Sequence, residues 1–175
     1  MRRAVLTILS AVFSFGLFGQ GLGLLDKAGE NRTSFVYTYS LSRGGEPFRE
    51  VTSGKVTVED NAYYMEGLGL EVTSDGITRL SVDRQACEAV LEKVEKEDMF
   101  TNPALFISSW KNYRDRLKVN GSGKDFLDVT LILDDDTLAR FVLTGIVFSK
   151  KQGLDDFRVT APSGSDWLVT DLRQL

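Results

Sequence analysis

The stretch Glu66–Asp83, EGLGLEVTSDGITRLSVD, decides how this chain is read. Two short alternating runs, Leu70–Ser74 and Ile77–Val82, flank Asp75-Gly76. Asp-Gly between such runs predicts a β-hairpin, because a two-residue primed turn needs positive φ and glycine adopts it without steric cost. On both sides the chain repeats short strand, tight turn, short strand. The middle of the molecule therefore reads as antiparallel sheet built hairpin by hairpin, and function must come from what that sheet encloses.

Upstream, Ser34–Ser42 (SFVYTYSLS) is the clearest strand in the chain. Phe35, Tyr37, Tyr39 and Leu41 share one face, while Ser34, Thr38, Ser40 and Ser42 share the other. An aromatic face of this kind reads either as closed core or as the wall of an apolar cavity whose tyrosine hydroxyls find partners at the rim. Arg43-Gly44-Gly45-Glu46 turns the chain, and Pro47 opens a long strand to about Glu59. Gly54 inside that strand predicts a bend or bulge. Asp60-Asn61 turns into a strand over Ala62–Glu66. Before all of these, Leu22, Leu24, Leu25 and Ala28 sit at helical spacings with Gly29 after them, which predicts a short helix laid on the sheet.

Downstream, Cys87, Val90, Leu91 and Val94 also have helical spacing, and local propensity favours helix there. A strand over Cys87–Glu92 would instead continue the meander, with Val90 on one face. Asn102-Pro103 predicts a helix start, with Asn as N-cap and Pro at the first position. Leu105, Phe106, Ile107 and Trp110 then form one bulky face. Strands are predicted over Arg114–Val119, Phe126–Leu133 and Thr137–Ser149, with a flexible loop at Asn120-Gly121-Ser122-Gly123. Asp134-Asp135-Asp136 reads as a solvated turn, since consecutive residues point apart and nothing completes a calcium loop. Lys150–Gly153 turns the chain, Phe157–Thr160 follows, and a last strand contains Trp167–Val169.

Composition bounds the chemistry. The 175 residues are 42% hydrophobic and 26% charged, ordinary for one globular domain. Histidine is absent, which excludes Ser-His-Asp catalysis, His-ligated zinc and an imidazole pH switch. The single Cys87 forms no internal disulfide and no Cys-rich metal site. Acidic residues are scattered on turns with no acid–base pair and no activated nucleophile, so the chain does not read as an enzyme. A net charge of −4 without a basic block argues against a nucleic-acid partner. No metal or cofactor is expected.

Met1-Arg2-Arg3, the uncharged apolar run Ala4–Phe18 and the glycine-rich Gly19–Gly23 match a secretory signal peptide, with Gly19-x-Gly21 and Gly21-x-Gly23 as cut sites. The competing reading is an uncleaved membrane anchor, but the dense apolar part falls short of the roughly 20 residues a span needs. The paired arginines lack the rest of a twin-arginine signal, and no cysteine follows to carry a lipid. Residues 1–23 are thus read as leader and 24–175 as one exported domain, whose charge moves from −4 to about −6 on cleavage.

With these pieces in order, the chain resembles the outer-membrane lipoprotein carrier family, the LolA-like periplasmic proteins of Gram-negative bacteria. The likeness is carried by Phe35–Ser40 after a leading helix, by Gly54–Val58, and by the hairpin EVTSDGITRLSVD at Glu71–Asp83. It is carried also by Thr101-Asn102-Pro103-Ala104-Leu105-Phe106, and by Phe157–Pro162 followed by Val169–Arg173. The resemblance implies an α+β, mostly antiparallel β fold: a curved, incomplete β-barrel of LolA/LolB-like half-barrel type, with short helices as a lid over an apolar cavity. It favours the strand over Cys87–Glu92. It implies a periplasmic chaperone, acting as a monomer, that carries acylated lipoproteins from an inner-membrane releasing transporter to an outer-membrane acceptor.

On that reading Leu105, Phe106, Ile107 and Trp110 form the lid. The cargo's acyl chains lodge against Phe35, Tyr37, Tyr39, Leu41, Val56, Met65, Leu131, Leu133, Phe141 and Leu143; the competing reading makes all of these closed core. A different class is a periplasmic sensor or adaptor on the same fold, docking a protein partner through Lys111, Arg114, Arg116 and Lys118, which otherwise form a solvated face. The chain departs from the family twice. Better-studied carriers have an arginine just after the strand matching Val56–Glu59, where this chain has Glu59-Asp60-Asn61-Ala62. The segment after the lid helix is also shorter, with room for fewer strands.

Overall fold

A computed structural model describes residues 21–67, 69–94 and 103–174, with side chains from 106 onward in the last stretch. A helix, α1, covers residues 21–30. Six strands follow: β1 (Arg32–Arg43), β2 (Arg49–Glu59), β3 (Ala62–Gly67), β4 (Leu70–Ser74), β5 (Thr78–Asp83) and β6 (Glu88–Lys93). Helix α2 (Pro103–Ser109) runs into a 3₁₀ segment at Trp110–Arg116, and β7 (Leu117–Ser122), β8 (Phe126–Ile132) and β9 (Thr137–Ser149) come next. A short 3₁₀ turn at Leu154–Phe157 precedes β10 (Leu168–Asp171). The ten strands form one open sheet in the order β10-β6-β5-β4-β3-β2-β1-β9-β8-β7. Neighbours are antiparallel except β10, which lies parallel to β6.

Register assigns each side chain to a face. Phe35 lies opposite Val56, Val56 opposite Met65 and Met65 opposite Val72. Tyr39 lies opposite Phe141 and Phe141 opposite Val129. These residues belong to one buried cluster with Leu22, Leu25 and Ala28 of α1 and Phe106, Ile107 and Trp110 of the α2 region, so both helices cover the same face. Val72 faces Ser81, so Leu80 and Val82 point to the opposite side. There they join Ala89 and Leu91 in a second cluster, covered by Val159, Ala161 and Trp167 from the C-terminal segment. The sheet thus has two cores, on opposite faces and toward opposite ends.

The Cys87–Glu92 strand is present as β6, against local helix propensity. Its residues Ala89 and Leu91 complete the second cluster, and burial of a ready-made apolar face outweighs tenths of a kcal/mol of propensity. Asn102, the expected N-cap of α2, lies outside the described residues.

Four local expectations are corrected. The 75–78 turn is longer than two residues: Ser74 pairs with Arg79, and Asp75 Oδ1 accepts the Ile77 and Thr78 N–H groups at 2.9 and 2.8 Å. Only Gly76 has positive φ, and Ile77 is the turn tip, 76% exposed, not a strand residue. The bulge of β2 lies at Val51, where the register shifts between Tyr39 and Ser40. Gly54 is needed for another reason: a Cβ there would sit 2.0 Å from the Glu66 carbonyl oxygen, so the β3 backbone approaches too closely for a side chain.

The strand expected over Arg114–Val119 begins at Leu117, and Arg114–Arg116 belong to the 3₁₀ segment that brings buried Trp110 and Leu117 to the core. Asn120–Ser122 are strand, not loop. Phe157 ends the 3₁₀ turn at Leu154–Phe157 and is buried. The closing strand is parallel because the chain returns from β9 to the far edge of the sheet.

Candidate ligand-binding site

Alternation in β1 puts Phe35, Tyr37 and Tyr39 on the helix-covered face, all buried, with Leu41 half-buried at its end. Pairing then supplies the rest from other strands: Val56 from β2, Met65 from β3, Leu131 from β8, Phe141 and Leu143 from β9, and Leu133 just past β8. All ten predicted cavity residues meet in one cluster. Tyr37 Oη donates to Met65 Sδ at 3.1 Å, so this hydroxyl has a partner where the strand nears its open end.

The predicted lid residues Phe106, Ile107 and Trp110 are buried in the same cluster; the side chain of Leu105 lies outside the described residues. The Phe106 ring stacks on Phe141 at 4.7 Å between centroids, and Phe141 stacks on Tyr39 at 5.1 Å. Aromatic stacking of this kind adds about 0.5–1.5 kcal/mol per pair beyond area burial. Three rings from helix, β9 and β1 therefore form a column across the cover and the sheet.

The sequence reading placed α1 on the sheet but left it out of the site. Leu25 is as deeply buried as Ile107, and Leu22 and Ala28 join it, so α1 is the second half of the cover. The 22/25/28 spacing carried that signal. Val58, Tyr63, Val72, Leu117, Leu127 and Val129 were missed on the sheet side. The period-two pattern of each strand marks them, but only the register decides which face each reaches. Between the two helices, Lys111 Nζ and Asp26 Oδ1 form an exposed ion pair at 2.8 Å.

At the end of this face, the β1–β2 hairpin borders a hollow of about 360 Å³ lined by Leu41, Arg43, Glu46, Pro47, Arg49 and Val51. Leu41 is the predicted cavity residue that reaches it. The bulge at Val51 leaves that side chain unpaired and exposed, so the hollow is apolar between two guanidinium groups. Leu41 both packs against the main buried cluster and lines this hollow.

At the end of β2, Glu59 is buried. Its carboxylate accepts the backbone N–H groups of Gln152 and Gly153 at 3.1 and 2.8 Å, with Arg32 Nη1 at 3.8 Å. Arg32 also donates to Asp156 at 2.7 Å and lies over the Phe157 ring. Arg32 brings a cation to this end of the sheet from the start of β1, Lys151 pairs with neighbouring Asp60, and Glu59 fastens the loop after β9. Lys111, Arg114, Arg116 and Lys118 are all exposed.

Among the described residues no group of three or more His, Cys, Asp or Glu is placed to hold a metal ion. No described helix is long and apolar enough to cross a membrane. The Asp134–Asp136 stretch forms a turn, with Asp134 Oδ1 accepting the Asp136 N–H at 2.9 Å. The chain matches no protein-family model and no curated protein.

Proposed function

We propose that the protein is a periplasmic carrier of acylated lipoproteins, its sheet a half-barrel of the lipoprotein-carrier type and its two helices a displaceable lid. One observation carries the reading: the aromatic and aliphatic face of an open sheet is covered by two short helices, which seat Phe106, Ile107 and Trp110 upon it. A second sheet or a long helix would bury such a face permanently. Short helices held by packing alone are the elements that leave it at low cost.

The magnitudes suit binding followed by release. Unseating Phe106, Ile107 and Trp110 costs about 1.5–3 kcal/mol each. An acyl chain that buries about a dozen methylenes in their place contributes about 0.8 kcal/mol per methylene, roughly 10 kcal/mol. The difference is small enough for an outer-membrane acceptor to take the cargo from the carrier, and large enough for an inner-membrane transporter to load it. The hollow at Leu41 is where a chain first meets apolar surface.

The burial of Phe106, Ile107 and Trp110 in one cluster with the sheet also fits a second reading, a periplasmic adaptor whose cover moves when a hydrophobic ligand arrives and whose state a protein partner reads. Expression of the full chain in a bacterial periplasm, with a photo-crosslinker at Phe106, separates the two. Crosslinks to lipoproteins, and acylated peptides in the mass spectrum of the purified protein, are the expected result. Repeated preparations free of lipoprotein and lipid would remove the carrier reading, and a crosslink to one unacylated protein would establish the adaptor.

A further inference from the structure

The face of the sheet turned away from both helices carries another hollow, of about 440 Å³. Register builds it: Thr130 lies between Lys118 and Arg140, and Ile132 lies opposite Leu138. Its apolar part is Ile132, Leu138 and Phe48, which reaches in from the segment before β2. Ile132 is 45% exposed, so the apolar floor of the hollow is open to solvent.

The polar part is fixed in place. Arg140 donates from Nε and Nη2 to Asp128 Oδ1 and Oδ2 at 2.9 and 2.6 Å, a bidentate pair. Asn120 bridges Asp128 Oδ1 and Thr130 Oγ1 at 2.9 and 2.8 Å. The guanidinium carbon stands 5.8 Å from the Phe48 ring centroid. Asp128 thus spends its charge on Arg140. Lys118, in the hollow's wall, has no ion-pair partner among the described residues, and neither does the Nη1 nitrogen of Arg140.

We infer that this hollow binds a small organic carboxylate with an apolar body, its charge held between Lys118 Nζ and Arg140 and its body laid on Ile132, Leu138 and Phe48. Two cations beside one committed aspartate leave a single net positive charge, which matches a monoanion and not a phosphate dianion. The volume falls in the range of small-molecule sites, about 300–1,000 Å³. The sheet itself separates this site from the helix-covered face, so the inference stands independently of lipoprotein carriage.

The test titrates 2-naphthoate into the ¹⁵N-labelled full chain, alongside its neutral counterpart 2-naphthalenemethanol. Saturable amide shifts are expected at Lys118, Asn120, Thr130, Ile132 and Arg140. Lys118→Glu is expected to weaken binding by about tenfold or more, since it removes one charge-assisted contact and sets a like charge beside the carboxylate, and the neutral ligand, which loses the contacts to both cations, by about tenfold or more as well. Ile132→Asp removes the apolar floor by a different route and is expected to weaken binding at least as much. Lys118 and Ile132 are exposed, so both variants are expected to keep the wild-type circular dichroism. The inference is overturned if naphthoate leaves those amides unshifted, or if it binds the variants and the neutral ligand binds the wild type as tightly as naphthoate binds the wild type.

Discussion

Asp128 shows how far a single residue depends on its neighbours. It is 7% exposed on the middle of β8, and burial pushes its carboxyl up. The Arg140 guanidinium and the Asn120 amide outweigh that, and the group titrates below its ordinary value. With the folded value below the unfolded one, its stabilising contribution is complete above about pH 4 and is lost as pH falls through the folded value. Asp128→Asn is therefore expected to cost about 1–3 kcal/mol at neutral pH. Urea melts in steps of pH check this: the gap between wild type and variant should close from about pH 4 downward, and a gap indifferent to pH refutes the assignment. Asn120 explains why this arrangement was not legible in the sequence. Asn-Gly-Ser-Gly reads as flexible loop because each residue is a turn former locally. What makes it strand is an amide bonded to Asp128 and Thr130, eight and ten residues away.

Elements whose pattern is local were readable, and elements shaped by distant contacts were not. The β1 strand announces itself by strict alternation, and α1 by its 22/25/28 stripe. The 3₁₀ segment at Trp110–Arg116 does not, since Leu117 and Val119 alternate like any strand and only packing sets where the strand begins. Gly54 was recognised as special, but its cause lies on β3. Gly54→Ala puts a methyl 2.0 Å from the Glu66 oxygen and 3.0 Å from Gly67 Cα, both backbone atoms. The expected loss is about 3 kcal/mol or more, read by denaturant melts. Gly23→Ala on the solvent side of α1, with nothing within 4 Å, serves as the control that should be neutral or slightly stabilising. The α2 helix carries a sharper prediction. Phe106→Ala should destabilise the protein by about 3–5 kcal/mol, as for other buried Phe→Ala changes. If Phe106 fills space that an acyl chain takes over, the same variant should bind a fluorescent fatty acid more tightly than wild type. Loss of stability without any gain in binding would mark Phe106 as closed core.

At the scale of the molecule, the two-core sheet explains both what the sequence disclosed and what it withheld. Antiparallel hairpins dominate and follow chain order, so most of the topology could be read in sequence. The parallel β10 could not, because its partner β6 lies some eighty residues upstream and its anchoring cluster is assembled from β5, β6 and the C-terminal segment. The start of the domain poses the same question at the other terminus. The boundary read at residue 23 falls inside α1, where Gly21 packs so closely that a Cβ would lie 2.9 Å from Val119 and 3.1 Å from Leu127. Leu22 is 7% exposed within the main core. The two small-residue cut sites are then unequal. Cleavage after Gly21 keeps Leu22, whereas cleavage after Gly23 removes it together with Gly23 from the described part of α1. Burial of one leucine contributes about 1.5–3 kcal/mol, so a chain beginning at Leu22 should be more stable by at least that much than one beginning at Leu24. Thermal melts of the two purified forms measure the difference, and, on the export proposal, N-terminal sequencing of periplasmic protein is expected to return Leu22. Equal melts would mean that Leu22 contributes nothing to the core and that the helix cover begins later than its packing indicates.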